Sequence, residues 1–138
     1  SLTRPADGSR AAVRWAREAG HNVVVATNPM FPRTAIEQRI RWAALEPEGF
    51  DLVTTIERSH ATKAQARYYS EIAADLRVDP SNCVMVGDNW QWDVVNSIQV
   101  GMAAWWIADA TAPRPDSELA ILGQGPLCEF VAFARRHL

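Results

Sequence analysis

Two cysteines, three histidines and seven scattered glycines in 138 residues leave several chemistries without their usual raw material. Cys83 and Cys128 lie in apolar surroundings, NCVMVG and PLCEFVAF, far apart and without metal-ligand spacing. That excludes a zinc motif and argues against a disulfide framework; both read as buried free thiols in a reducing cytoplasm. No glycine-rich loop follows any strand-like run, which disfavours a generic nucleotide-binding domain. No apolar stretch reaches membrane-span length and no charged segment followed by an apolar core opens the chain, so no membrane partner is expected. Blocks of one charge are also missing. The formal net charge is −2 with both signs interspersed, so no extended nucleic-acid surface is expected either. What is present, 48% apolar and 22% charged residues, suits one soluble domain over residues 1–138 that acts on small molecules or proteins. Ser1 and Leu2 read as an expression remnant.

Strand-length apolar runs alternate with helical periods, the pattern of an α/β domain with a mainly parallel sheet. SRAAVRWAREAG (Ser9 to Gly20) places Ala12, Val13, Ala16 and Ala19 on one helical face, with Ser9 as a cap and Gly20 suited to a left-handed C′ position. NVVVAT (Asn22 to Thr27) is strand-like, and TAIEQRIRWAAL (Thr34 to Leu45) returns to a helical period after the proline-bearing loop NPMFPR. FDLVTTIE (Phe50 to Glu57) reads as a second strand. AQARYYSEIAADL (Ala64 to Leu76) is a helix whose core stripe is Tyr69, Ile72, Ala73 and Leu76. CVMVGD (Cys83 to Asp88) has the unbroken apolar character of a fully buried strand. A short helix WDVVNSIQVG (Trp92 to Gly101) leads to MAAWWIA (Met102 to Ala108), read as the last strand. ATAPRPDS reads as a loop, and PLCEFVAFARRHL closes the chain as an amphipathic helix with basic residues in its last turn.

The polar residues that carry chemistry stand at or just past the carboxyl ends of these strands, where open α/β sheets build their sites. Thr27 and Asn28 end the first strand; a hydroxyl and adjacent backbone N–H groups can cradle phosphate oxygens, although the same residues cap turns elsewhere. Lys63 follows the second strand. A lysine there can neutralise a phosphate, while most loop lysines are simply solvated. His60 has no partner at ligand spacing and reads as a loop residue or at most a substrate contact.

Asp88 is the strongest position, a carboxylate directly after Gly87 at a strand end, where an unpaired charge needs a cation, hydrogen bonds or water. Asp93 stands in the first turn of the next helix, where the helix dipole alone would explain it. Magnesium suits one or two such carboxylates, since it keeps several waters and shares its remaining positions with substrate phosphate. Trp90, Trp92, Trp105 and Trp106 lack the basic stripe of a nucleic-acid platform and read as core or as the rim of a pocket. Arg33 and Arg67 could meet an anion, but helix-edge arginines commonly stay solvated.

Taken in order, VVVATN, Lys63 and MVGDNWQWD resemble motifs II, III and IV of the haloacid dehalogenase (HAD) superfamily, mostly magnesium-dependent phosphatases on a Rossmann-like core. The resemblance covers nearly the whole chain, from the first helix to MAAWWIA. It implies a three-layer sandwich in which Thr27 and Asn28 hold the phosphoryl group and Lys63 stabilises its charge. Asp88 and Asp93 would form the metal site for Mg2+, Asp93 orienting Lys63 or a metal-bound water.

Two departures stand out. Ala64 occupies the position after Lys63 where the family usually has proline. The first motif, a strand ending in D-x-D that supplies the nucleophile and the general acid, is absent, as is the cap that chooses the substrate. Asp7 lies in a polar lead and cannot replace it. The expectation is therefore the carboxyl-terminal part of a HAD core lacking the first central strand. Its parent would be a phosphatase acting through a phospho-aspartate on a small phosphorylated substrate, and this chain alone would be inactive. The alternative is a non-catalytic module that binds phosphate or magnesium or mediates protein interaction. The strand VVVAT and the strand CVMVGD would then close up on each other or be bridged by another segment or chain, with homodimerisation or strand exchange as one route.

Overall fold

The computed structural model describes residues 8–26, 33–42, 50–53 and 61–138. Helix α1 (Ser9–Glu18) starts after Gly8, which takes the N-cap position with φ 87°. Ser9 therefore lies inside the helix rather than capping it, and its hydroxyl is buried with no hydrogen-bond partner among the described residues. The other end is as the sequence suggests: Gly20 has φ 83°, its N–H donates to the Arg17 carbonyl at 3.0 Å, and the His21 N–H donates to Ala16 at 2.8 Å. Such paired bonds satisfy carbonyls that a helix end leaves open, and a residue with a Cβ enters this backbone region only with strain.

Strand β1 (Val24–Val25) pairs in parallel with β2 (Leu52–Val53), Val24 opposite Leu52. Asp51 extends the pairing by a residue, donating its N–H to the Val23 carbonyl at 2.7 Å and accepting the Val23 N–H on Oδ2 at 2.6 Å. Helix α2 (Arg33–Trp42) covers this pair through buried Ile40, which packs with Val25 and Phe50.

The second sheet holds β3 (Val84–Gly87), β4 (Ala103–Trp106) and β5 (Gly123–Gln124) in the order β3-β4-β5, all parallel. Four registered pairs join β3 to β4, from Val84 with Ala103 to Gly87 with Trp106. Helix α3 (Arg67–Leu76), a 3-10 turn at Pro80–Asn82, a π-helical segment at Trp90–Val95 and α4 (Asn96–Gln99) make the intervening connections. Helix α5 (Leu127–His137) packs Phe130 and Ala134 against Trp105, with Trp15 of α1 edge-on to Phe130 at 6.3 Å.

This is the α/β architecture expected from the residues, with parallel strands flanked by helices. Its ladder is broken between β1 and β3, which belong to separate sheets. Among the described residues the two strands do not close up on each other. Side chains join the sheets instead: Leu52 of β2, Met85 of β3 and Tyr68, Tyr69, Ile72 and Ala73 of α3 form one buried cluster, with Val24 and Ala26 packed against it.

Four further expectations need correction. MAAWWIA is not the last strand, because β5 adds two rungs beyond it. CVMVGD is not buried on both faces: Met85 and Gly87 are buried, but Val84 is 36% exposed and Val86 only half-buried, because one face meets the main cluster and the other is covered only in part. Cys128 is exposed, at the second residue of α5 on its solvent side, although both cysteines are free. Tyr68 joins Tyr69 in the core, their rings edge to face at 4.9 Å, while Leu76 is only partly buried. No described helix is long and apolar enough to cross a membrane.

Candidate functional site

Strand β3 ends at Gly87, and the next six residues turn the chain back over the strand end. Asn89 caps the turn, its side-chain oxygen accepting the Trp92 N–H at 2.8 Å. The following segment is π-helical, with the Asp93 and Val94 N–H groups both donating to the Asn89 carbonyl, at 2.8 and 3.4 Å. Single π turns of this kind recur at functional sites because they re-aim one side chain. Here the side chain is Asp93, which folds back under Gly87. A Cβ on Gly87 would overlap the Asp93 carboxylate, so glycine is required for close approach rather than for an unusual backbone angle.

Asp93 is 2% exposed and its oxygens are engaged. Oδ1 accepts from Lys63 Nζ at 2.9 Å and lies 3.4 Å from the Tyr69 hydroxyl; Oδ2 accepts the Asn89 N–H at 3.0 Å. A carboxylate taken this far from water needs such compensation, because its desolvation costs several kcal/mol. The Lys63 side chain is itself only 15% exposed. Its backbone is tied to the same segment, since Asn96 Nδ2 donates to the Lys63 carbonyl at 2.8 Å and Gln91 supports Asn96 at 3.3 Å. The Tyr69 hydroxyl donates to the Trp92 carbonyl at 2.6 Å. Burial and the adjacent Asp93 carboxylate push the Tyr69 phenol far above its ordinary range, so it serves as a neutral donor. Ser97, fully buried, donates to the Asp93 carbonyl at 2.5 Å.

Asp88 contrasts with Asp93. It is exposed just past β3, and among the described residues no side chain pairs with its carboxylate. Its carbonyl accepts the Trp106 indole N–H at 2.9 Å, and the Trp90 ring stands edge-on to Trp106 at 4.9 Å. Trp105 points the other way, into the α5 cluster, where its indole donates to the Gly125 carbonyl at 3.1 Å. Trp92 is 40% exposed.

Lys63, Asp88 and Asp93 are thus gathered at the carboxyl end of β3, Lys63 and Asp93 in direct contact. Thr27, Asn28 and His60 lie outside the described residues. Arg33 and Arg67 sit on exposed helix starts, Arg33 paired with Glu37 at 2.5 Å and Arg67 reaching Gln65 at 3.4 Å. Sequence reading missed Tyr69, Asn89 and Asn96 as parts of the site. No local signal marked Asn96, whose partner Lys63 lies 33 positions away.

Asp88 offers a hard, accessible oxygen donor of the kind magnesium takes. Among the described residues no group of three or more His, Cys, Asp or Glu side chains could hold a metal. Of the two carboxylates expected at a metal, Asp88 is exposed, whereas both oxygens of Asp93 are engaged.

Residues 1–95 match the haloacid dehalogenase-like hydrolase family. The chain belongs to that family. Among solved structures it is similar to a HAD phosphatase from Thermococcus onnurineus, with 25% identity and a TM-score of 0.71 over 90% of this chain and 55% of that one. It is also similar to a 2-haloacid dehalogenase from Pseudomonas syringae pv. tomato, with 19% identity and a TM-score of 0.73 over 94% and 53% of the two chains. A HAD-family protein from Bacillus subtilis, solved bound to magnesium, gives 16% identity and a TM-score of 0.74 over 91% and 54%. This chain of the HAD family thus spans a little over half the length of these proteins. A search of curated proteins gave no match. The solved proteins carry two different activities in their names, so the shared fold does not select between them.

Proposed function

We propose that this chain supplies the Lys63, Asp93 and Asp88 portion of a magnesium-dependent phosphohydrolase site, with the nucleophilic carboxylate drawn from sequence outside these 138 residues. The observation that carries the reading is the buried Lys63–Asp93 contact at 2.9 Å beside an exposed carboxylate at the end of β3. A lysine fixed by a buried carboxylate keeps its direction, which is what a developing phosphoryl charge requires. Lys63 holds the phosphoryl oxygens, Asp93 holds Lys63, and Thr27 with the Asn28 backbone receives the remaining oxygens. Asp88 binds the cation. When bound, magnesium would neutralise phosphoryl oxygens during in-line transfer to the nucleophile.

The substrate is a small phosphate monoester. Phosphatase activity is favoured over dehalogenation because an exposed carboxylate next to a lysine suits a cation and a multiply charged phosphoryl group better than a single departing halide. Without the outside carboxylate the chain binds phosphate and magnesium but does not turn over.

The test is p-nitrophenyl phosphate hydrolysis with magnesium by the native full-length protein. Lys63→Ala and Asp88→Asn are each expected to lower kcat by about 10²-fold or more. Undiminished hydrolysis in either variant would overturn the assignment, and turnover by residues 1–138 alone would show that the nucleophile lies within them.

A further inference from the structure

The Asp88–Asn89 peptide group is gripped at both of its polar atoms by side chains. Its carbonyl accepts the Trp106 indole N–H at 2.9 Å, and its N–H donates to Asp93 Oδ2 at 3.0 Å. The peptide group before it is also fixed, since the Gly87 carbonyl accepts the Ile107 N–H at 2.8 Å as the last rung between β3 and β4. Asp88 therefore sits between two immobilised peptide planes, and the direction in which its carboxylate leaves the backbone is set by both. The second clamp is unusual in its origin. A strand's ladder normally ends with its backbone pairs; here it continues one residue further through an indole, which can only donate.

Trp106 is itself braced. Its backbone is opposite Gly87 in the register, its carbonyl accepts the Gly125 N–H at 3.1 Å, and Trp90 packs edge-on against its ring.

We infer that Trp106 is a positioning residue for Asp88, acting together with Asp93 through the peptide group between them. The inference rests on the reading of Asp88 as the cation-binding carboxylate, and it assigns the tryptophan rim a task in aiming that carboxylate. A partly buried indole that merely finds an acceptor would contribute only to stability.

The experiment is 15N relaxation on the metal-free chain, comparing wild type with Trp106→Phe, which keeps a ring against Trp90 and removes the donor. In wild type the Asn89 amide is expected at an order parameter of about 0.85, falling towards about 0.6 in the variant. An unchanged value overturns the inference. Should Trp106→Phe fail to fold, indole exchange in wild type decides: Trp106 Nε1–H exchanging about 10-fold slower than that of exposed Trp92 supports the clamp, and equal rates overturn it. Magnesium is then titrated against the Asp88 and Asn89 resonances. The affinity of the variant is expected to be about 10-fold weaker with its melting temperature little changed. A lowered melting temperature with equal affinity would leave Trp106 a structural role only and overturn the inference. If magnesium moves no resonance even in wild type, the cation reading of Asp88 fails, and the order parameter alone decides whether Trp106 positions it.

Discussion

The pair β1–β2 and the sheet β3–β4–β5 sit under one shared core but are built to different depths. Among the described residues two registered pairs hold β1 to β2, backed on one face by Ile40 with Val25 and Phe50 and, through Leu52 and Val24, by the α3 cluster. Four hold β3 to β4, with two more to β5, backed on one face by Tyr68, Tyr69 and Met85 and on the other by Trp105, Phe130 and Ala134. The residues whose chemistry must be exact, Asp88 and Asp93, leave the better-backed sheet. Lys63 comes from the connection between the two and is brought to Asp93 by an ion pair and by the Asn96 bond to its carbonyl. Precision is thus supplied by the second sheet and exported to the first through polar contacts.

The sharpest way to break that comparison is through the two aromatic and aliphatic anchors. Phe130→Ala removes a ring in contact with both Trp15 and Trp105 and is expected to cost about 4 kcal/mol in urea unfolding. Ile40→Ala, in the smaller cluster, is expected at the lower end of such truncations, about 2 kcal/mol. Equal losses would mean that the two sheets are supported alike.

Next in size is Asp93→Ala, expected to cost about 3 kcal/mol because it removes the part-buried Lys63 ion pair and leaves the Asn89 N–H without this acceptor. Adding Lys63→Met should recover part of the loss, since the charge that Asp93 faced is then gone. A double variant no more stable than Asp93→Ala would show that the ion pair is not what organises the segment. Gly87→Ala follows, at about 2 kcal/mol, because its new methyl group overlaps the Asp93 carboxylate and something must move. Retained stability together with an unmoved Lys63–Asp93 contact in a crystal structure of that variant would contradict the packing.

Much of this was legible in the residues, and the limits have physical causes. The order VVVATN, Lys63, GDNWQWD located the family and the strand end because local patterns carry both. The partners Tyr69 and Asn96 escaped because their roles depend on contacts between residues 24 and 33 positions apart, which no local period encodes. Strand β5 escaped because two residues beginning with glycine show no alternation, and its pairing is imposed by β4. The π-helical turn has the same apolar pattern as an α-helical one. Val84 misled because an unbroken apolar run does not say which face is covered. Ser9 misled because Gly8, in the left-handed region, took the capping position.

The smallest effect contrasts the buried carboxylate with exposed ones. Asp79 opens the 3-10 turn before β3, its Oδ1 accepting the Ser81 N–H at 2.9 Å and the Ser81 hydroxyl at 2.8 Å. Those bonds, the backbone one first, hold the Asp79 carboxyl below its ordinary value, as the Thr111 bonds do for Asp109. A folded-state value that is depressed gives stability present above the unfolded value and lost as pH falls through the folded one. Both groups are fully exposed, so the consequence is local. Ser81→Ala removes the hydroxyl bond and leaves the backbone one, and an NMR titration should find the Asp79 midpoint raised part of the way to the ordinary carboxylate range. A midpoint already ordinary in wild type would mean that the turn before β3 is not held by its aspartate, and that the strand is positioned by its β4 register alone.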